Sequence, residues 1–181
     1  GDWKTMWHPA YLKQRSSLIG NQSMKLAQPG HPAATNTAYA PMPAQEEYGT
    51  SHISVIDKEG NAVAMTTTIE AVFGARLMVN SGQGRHGGFL LNNELTDFSF
   101  APTDAQGLPI ANRVEGGKRP RSSMSPTLVF EKDSGKLKMT GGSPGGAVII
   151  HYTGKLLIGT LQWGLNTQQA ISLHNFSSLN G

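Results

Sequence analysis

The sequence changes character at Thr50, and the pattern that begins there constrains the fold more than any other. Thr50–Asp57 (TSHISVID) is rich in β-branched residues and partly alternates apolar with polar positions. Lys58–Asn61 (KEGN) has the composition of a turn, and Ala62–Glu70 is a second segment rich in Thr and Val. Two such segments joined by a short turn predict an antiparallel hairpin that places Thr68 across from Thr50.

The residues before this hairpin show weak apolar periodicity. Residues 1–49 contain a polar stretch and then a Pro/Ala/Thr-rich run from Pro29 to Pro43. Such a composition predicts a short helix or two, followed by an extended linker.

Strands and helices are also predicted after the hairpin. Gly-rich Ser81–Gly88 predicts a flexible loop, Phe89–Leu91 a short strand, and Phe100–Arg121 a long loop. Two more strands are predicted near Thr127–Glu131 and Lys136–Thr140.

The last part of the chain, from Ala147 onward, is predicted to be helical. Apolar residues recur at helical spacing in Ala147–Trp163, which predicts a helix packed against a sheet. Leu165-Asn166-Thr167 is typical of a cap for a second helix over Gln168–Leu173. The chain is therefore expected to fold as an α+β protein.

Composition excludes several classes of function. The net charge is only +3, and no Lys/Arg run or basic helix stands out, so nucleic acid is not an expected partner. The chain has no cysteine, and its six histidines lack metal-ligand spacing, so we do not expect a metal site. No run of apolar residues is long enough to cross a membrane.

Five sequence blocks occur in the order that γ-glutamyltranspeptidases show, and on them the chain resembles that family. They are Thr50–Ala64, Phe73-Gly74, Leu91–Ser99 (LNNELTDFS), Lys118–Thr127 (KRPRSSMSPT) and Gly142–Gly146 (GSPGG). The resemblance implies the N-terminal-nucleophile hydrolase fold, an αββα sandwich of two stacked sheets between helical layers. It also implies that residues 1–49 are the C-terminal part of a large-subunit region with a linker, and that residues 50–181 are a small-subunit nucleophile domain truncated at its C-terminus. No metal or organic cofactor is implied.

Gly49-Thr50 matches the dipeptide at which members of this family cleave their own chain. A neutral threonine hydroxyl is a weak nucleophile, and no Ser-His-Asp spacing is visible. If the Gly49–Thr50 bond is cleaved, Thr50 gains a free α-amino group, which titrates at about 7.7–8.0 and can accept a proton near neutral pH. Thr50 would then supply both the nucleophile and the base.

The resemblance assigns roles to eight further residues. Thr68 would hydrogen-bond the hydroxyl of the nucleophile, and the backbone N–H groups of Gly145 and Gly146 would form the oxyanion hole. The remaining five would bind the donor: Glu94 and Asp97 its α-ammonium group, Ser122 and Ser123 its α-carboxylate, with Glu70 beside the amine. Without the resemblance, these residues would be interpreted as surface carboxylates, loop serines, a strand threonine and a Gly-rich turn.

Departures from the family pattern leave the substrate open. Ser51 stands where a second Thr is usual, and Glu70 where many members have Asn. The insert at 81–88 looks long, and the loop between Ser99 and Lys118 looks short. These features resemble the branch of γ-glutamyltranspeptidase-like proteins and cephalosporin acylases. Three alternatives therefore stand: a γ-glutamyl hydrolase or transpeptidase using glutathione-type donors with amine or water acceptors, a glutaryl β-lactam acylase, or an unprocessed inactive fragment.

The family also implies a partner and a location. Its members carry a large subunit whose Arg binds the donor carboxylate, and no position of this chain can be assigned that Arg. We therefore expect the chain to be a fragment that works with the rest of the large subunit. Resemblance favours the periplasm or the cell exterior.

Overall fold

The computed structural model describes residues 3–33, 38–43, 49–80, 82 and 87–179. It is an α+β arrangement of three antiparallel strand pairs and three α-helices. Most of the predicted Gly-rich loop at 81–88 lies outside the described residues. None of the helices in these ranges is both long and apolar enough to cross a lipid bilayer.

The N-terminal part is helical, as predicted. A short 3-10 helix, Trp3–Trp7, leads into α1, Pro9–Ser16, whose first residue is a proline, the residue best suited to that position. Farther along, Ala40 forms a parallel bridge opposite Ile110. Its backbone N–H donates to the carbonyl of Pro109 at 2.8 Å, and its carbonyl accepts from the N–H of Ala111 at 3.0 Å. This bridge ties the segment before the hairpin to the long loop.

The hairpin predicted at Thr50 is confirmed. Strands β1, Thr50–Ile56, and β2, Ala62–Thr68, pair in antiparallel register with Thr50 opposite Thr68. Asp57 holds the turn, because its carboxylate accepts from the backbone N–H groups of Glu59 and Asn61 at 3.0 and 2.8 Å. The register follows from this tight turn and carries Thr50 and Thr68 to the open end of the hairpin.

Two more strand pairs follow. Strand β3, Met78–Asn80, pairs with β4, Gly88–Leu90. The prediction omitted β3 and placed β4 one residue later, because three-residue strands give too little alternation to detect. Strands β5, Thr127–Phe130, and β6, Leu137–Gly141, form the third pair and confirm the two strands predicted there.

The C-terminal helices also follow the prediction. A 3-10 turn, Gly146–Val148, continues as α2, Ile149–Leu161, and α3 spans Thr167–Ser172. Asn166 caps α3 in a reciprocal capping box with Gln169. Ile149 is only 1% exposed, so the start of α2 is anchored in the core directly after the Gly-rich segment.

The hairpin and the end of β6 approach each other very closely. A Cβ atom at Gly142 would overlap the His52 ring, so a residue without a side chain is required there. The His52 ring nitrogens also hydrogen-bond Thr66 at 2.8 Å and Ser54 at 3.0 Å. This contact brings the strand that starts at Thr50 beside the loop that leads to Gly145 and Gly146.

Candidate active site

Thr50 lies at the first position of β1, where the hairpin register sets its surroundings. The hydroxyl of Thr68 donates to the carbonyl oxygen of Gly49 at 2.5 Å and accepts from the backbone N–H of Glu70 at 2.8 Å. In the continuous chain, Thr68 therefore contacts the carbonyl that precedes Thr50, whereas the resemblance implied a contact with the Thr50 hydroxyl. A donor on this carbonyl polarises the Gly49–Thr50 peptide bond.

Glu70 follows β2 in a strained conformation. Its φ is 68°, in the left-handed region that costs a non-glycine residue free energy, and it is only 7% exposed. The side-chain amide of Asn93 donates to the Glu70 carboxylate, and its oxygen accepts from the backbone N–H of Ala71 at 3.0 Å. Asn93 thus holds Glu70 in place and connects β2 to the next element of the site.

That element is the 3-10 turn Glu94–Asp97, which carries two more carboxyl groups. Burial, the charge of Asp97, a hydrogen bond with Asp97 and the charge of Glu70 together raise the pKa of Glu94 to about 7. Burial also raises the pKa of Asp97, opposed by the hydrogen bond from Glu94 and by the positive charge of Arg121, while Glu70 adds to the rise. The carboxyl groups of Glu94 and Asp97 therefore resist being ionised together.

Gly145 and Gly146 form the turn before α2. Their φ values are 140° and 54°, both in the region that favours glycine. A side chain at Gly145 would also meet the Tyr152 ring, 2.9 Å from the position of its Cβ. The hydroxyl of Ser123 donates to the Gly146 carbonyl at 2.6 Å, which ties the serine loop to this turn.

A small cavity, about 30 Å³ in volume, is lined by most of the predicted site residues. Its lining comprises Thr50, Thr68, Glu70, Asp97, Ser122, Ser123, Met124, Gly146 and Ile149. Of the other three, Glu94 bonds Asp97, while Gly49 and Gly145 line a neighbouring cavity that also contains Thr50. The other nine predicted residues thus line a cavity with Thr50 or contact a residue that does.

Sequence reasoning missed several contributors to this site. Asn93 was noted only as part of a motif, and Arg121 was read as a loop residue, although it acts electrostatically on Asp97. Asn92-Asn93-Glu94 was an available signal, since adjacent polar residues on a turn often bond nearby side chains. Within the described ranges, no cluster of three or more His, Asp or Glu residues is arranged to hold a metal ion.

The geometry offers the parts needed for acyl transfer. Thr50 lines a cavity together with Gly145 and Gly146, and the backbone N–H groups of such a glycine turn suit an oxygen that gains negative charge. A carboxyl cluster on the other wall suits a cationic group on the substrate.

Comparison with known proteins finds one family model and several similar sequences. The sequence model described as Gamma-glutamyltranspeptidase matches residues 2–179. The chain is 38% identical over 175 residues to the Glutathione hydrolase proenzyme of Bacillus subtilis (strain 168), and 35% identical over 178 residues to that of Escherichia coli (strain K12). These alignments cover 93% and 96% of this chain and 28% of each relative.

A solved structure of a related protein also matches this chain. A mutant gamma-glutamyltranspeptidase from Helicobacter pylori superposes with a TM-score of 0.57 and 40% sequence identity. The match covers 70% of this chain and 66% of that chain. The chain therefore spans less than a third of the length of these two curated relatives and about two thirds of the solved chain.

Proposed function

The chain belongs to the γ-glutamyltranspeptidase family, and we propose that the full-length protein hydrolyses and transfers γ-glutamyl groups from glutathione-type donors. The observation that carries the proposal is the cavity at Thr50, which is also lined by two carboxyl groups, two serines and a glycine of the turn before α2. The curated relatives are described as glutathione hydrolase proenzymes, which supports the same donor and a precursor that is processed.

The first step we propose is self-cleavage between Gly49 and Thr50. The Thr50 hydroxyl attacks the Gly49 carbonyl carbon, the peptide C–N bond breaks, and the hydroxyl proton passes to the released α-amine. Water then hydrolyses the resulting ester. The 2.5 Å hydrogen bond from Thr68 to the Gly49 carbonyl supports this step, because it stabilises the charge that develops on that oxygen.

The same hydroxyl then acts on the donor. Thr50 attacks the γ-amide carbonyl while its α-amine takes the hydroxyl proton, and the leaving amine departs with that proton. Backbone N–H groups of Gly145 and Gly146 stabilise the oxyanion. Water or an acceptor amine finally resolves the γ-glutamyl ester on Thr50.

Donor recognition is assigned to the two sides of the cavity. Asp97 and Glu94, with Glu70 beside them, attract the α-ammonium group, and Oε1 of Glu94 is buried with no hydrogen-bond partner among the described residues. An ammonium group brings three donors to such an acceptor. Ser122 and Ser123 hold the α-carboxylate, although the Ser123 hydroxyl already donates to Gly146 and would have to turn. The cavity has room for only about two water molecules, so donor entry requires it to open.

The architecture and assembly follow from the same assignment. We infer that residues 50–181 form part of an αββα sandwich and that residues 1–49 end the large-subunit region. The rest of the large subunit is the proposed protein partner, and the proposed acceptors are water and small amines.

Two chromogenic donors test the proposal. The full-length protein should release 4-nitroaniline from its γ-glutamyl amide, and Asp97→Ala should lower kcat/KM for this donor by a factor corresponding to roughly 2–5 kcal/mol, since the ammonium loses a partner in a partly dry site. The matching glutaryl amide has no ammonium group, so Asp97→Ala should leave its turnover unchanged or raise it.

A second variant, Glu70→Asn, tests the carboxyl group beside the amine, and three results would contradict the proposal. Glu70→Asn should preserve γ-glutamyl turnover, because Asn tolerates the left-handed backbone at this position and relieves repulsion among the carboxylates. Equal losses on both donors in Asp97→Ala would show that Asp97 supports the fold. Turnover of the glutaryl amide alone by the wild type would favour the acylase alternative, and no processing or turnover at all would favour the inactive one.

A further inference from the structure

The 3-10 turn Glu94–Asp97, which carries two of the carboxyl groups, is fastened at both of its ends. At its start, the backbone carbonyl of Asn93 accepts from the N–H and the hydroxyl of Thr96 at 3.0 and 2.9 Å. At its end, the chain passes through the buried residue Phe98 into the long loop. Asn112, a half-buried residue of that loop, fastens this second end.

Asn112 holds the backbone on both sides of Phe98. Its side-chain amide donates to the carbonyl oxygen of Asp97 at 2.7 Å, and its own backbone carbonyl accepts from the N–H of Ser99 at 2.9 Å. Phe98 and Ser99 are 4% and 5% exposed, so the backbone between the two bonds is buried. A backbone held at two points in this way fixes the direction in which the Asp97 side chain points into the small cavity.

The orientation of the Asn112 amide follows from its partners. Besides the Asp97 carbonyl, the amide nitrogen donates to the sulfur of Met42 at 3.0 Å. A carbonyl oxygen and a thioether sulfur can only accept, so the nitrogen and not the oxygen of the amide faces both of them. Both amide hydrogens are thus used, and a side chain without two such hydrogens cannot make both bonds.

The part of the long loop that carries Asn112 is itself anchored. Ala40 and Ile110, which form the parallel bridge to the segment before the hairpin, are 3% and 1% exposed. The ammonium group of Lys118 also donates to the carbonyl of Ala111, the residue before Asn112, at 3.1 Å. Asn112 therefore lies on an anchored part of the loop, against which the turn with the carboxyl groups is held.

We propose that Asn112 is a positioning residue for donor recognition, which aims the Asp97 carboxylate at the donor's α-ammonium group by holding the backbone around Phe98. This inference rests on the proposed γ-glutamyl activity. Asn112 is not among the described residues that line the cavity, so its effect passes through Asp97. Its two bonds to the turn join residues on the same side of the proposed cut, so cleavage after Gly49 does not separate the partners.

Asn112→Leu tests this role, because leucine has nearly the same size and cannot donate a hydrogen bond. The full-length protein is assayed with γ-glutamyl 4-nitroanilide and with glutaryl 4-nitroanilide, which lacks the ammonium group. We expect KM for the γ-glutamyl donor to rise about tenfold and kcat to change by less than about threefold, since a misplaced Asp97 weakens binding of the ammonium group. The preference in kcat/KM for the γ-glutamyl over the glutaryl donor should fall by a similar factor.

A second variant and a control separate positioning from general stability. Asn112→Ser has a side chain one atom shorter and disturbs packing less, and it should shift the preference in the same direction. Asn61→Leu also removes an amide that donates to an oxygen, that of Asp57 at 2.8 Å, but at the turn end of the hairpin, away from Thr50. This control should leave the KM values and the preference unchanged.

Hydrogen exchange gives a measurement that needs no turnover. In the single-chain precursor prepared with Thr50→Ala, the backbone amides of residues 95–101 should exchange faster when Asn112→Leu is added, because the Asp97 carbonyl loses its donor. Adding Asn61→Leu instead should leave exchange at residues 95–101 unchanged.

The outcomes distinguish the role of Asn112 from the activity on which it rests. A wild type that releases no 4-nitroaniline would refute the proposed function, and donor positioning with it. An active wild type whose donor preference is the same in Asn112→Leu would refute the positioning role alone. Equal losses on both donors would show that Asn112 supports the fold in general, and unchanged exchange at residues 95–101 would show that it does not hold the turn. Either result would overturn the inference.

Discussion

Glu94 provides a test of the electrostatics of the site that does not depend on turnover. Its pKa is raised from 4.5 to about 7, first by burial and then by Asp97 and Glu70. Glu94→Gln keeps the shape of the side chain and cannot ionise. The substitution therefore imitates the protonated acid at every pH.

The direction of the effect follows from proton linkage. In the unfolded chain, Glu94 loses its proton near its ordinary pKa, whereas the folded protein retains it up to about pH 7. Between these values the folded state binds more protons than the unfolded state, so stability falls as pH rises. Above the folded pKa, the full cost of an ionised, partly buried carboxylate is present in the wild type and absent from Glu94→Gln.

The magnitude follows from the size of the shift. At about 1.4 kcal/mol per pKa unit, the rise from 4.5 to about 7 corresponds to about 3.5 kcal/mol. Glu94 is partly exposed, and solvent screening reduces this to about 1–2 kcal/mol. We expect Glu94→Gln to stabilise the protein by that amount at about pH 8.5, and by less than about 0.5 kcal/mol at about pH 5.

Thermal or urea unfolding of the single-chain precursor, prepared with Thr50→Ala, measures the difference. Glu115→Gln is the control, because Glu115 is exposed, bonds Arg113 and Lys118, and has a lowered pKa. That control should give no stabilisation at high pH. Equal stabilisation by Glu94→Gln at both pH values would mean that packing is responsible. Destabilisation at high pH would mean that Glu94 is ionised and favourably paired, and either result would refute the reasoning.

The remaining predictions concern processing and the oxyanion. Thr50→Ala should abolish cleavage after Gly49, because no hydroxyl remains for the acyl shift, and intact mass of the full-length variant would detect any residual cut. Thr68→Val should slow cleavage by about tenfold or more, since the hydrogen bond to the Gly49 carbonyl is lost; an unchanged time course by gel or mass would exclude that role. Gly145→Val should reduce turnover by about a hundredfold, as its φ of 140° and the nearby ring leave no room for a side chain, and normal turnover would make the glycine a simple turn.

The sequence by itself determined the local elements of this protein. The hairpin with Thr50 opposite Thr68, the strands β5 and β6, and the helices α2 and α3 were all predicted from periodicity and turn residues. These features depend on residues close together in the chain, where backbone geometry repeats every two or 3.6 residues. The motif blocks also identified the family, because their order along the chain is itself a sequence property.

Only the tertiary structure decided which of these elements meet. The amide of Asn93 reaches Glu70 across 23 positions, Arg121 acts on Asp97, and the amide of Asn112 reaches the Asp97 carbonyl across 15 positions. No periodicity encodes such contacts, because they depend on the path of the whole chain and on close approaches between separate elements. The raised pKa of Glu94 belongs with them: a carboxyl group acquires it from burial and from neighbouring charges, which exist only once the chain has folded.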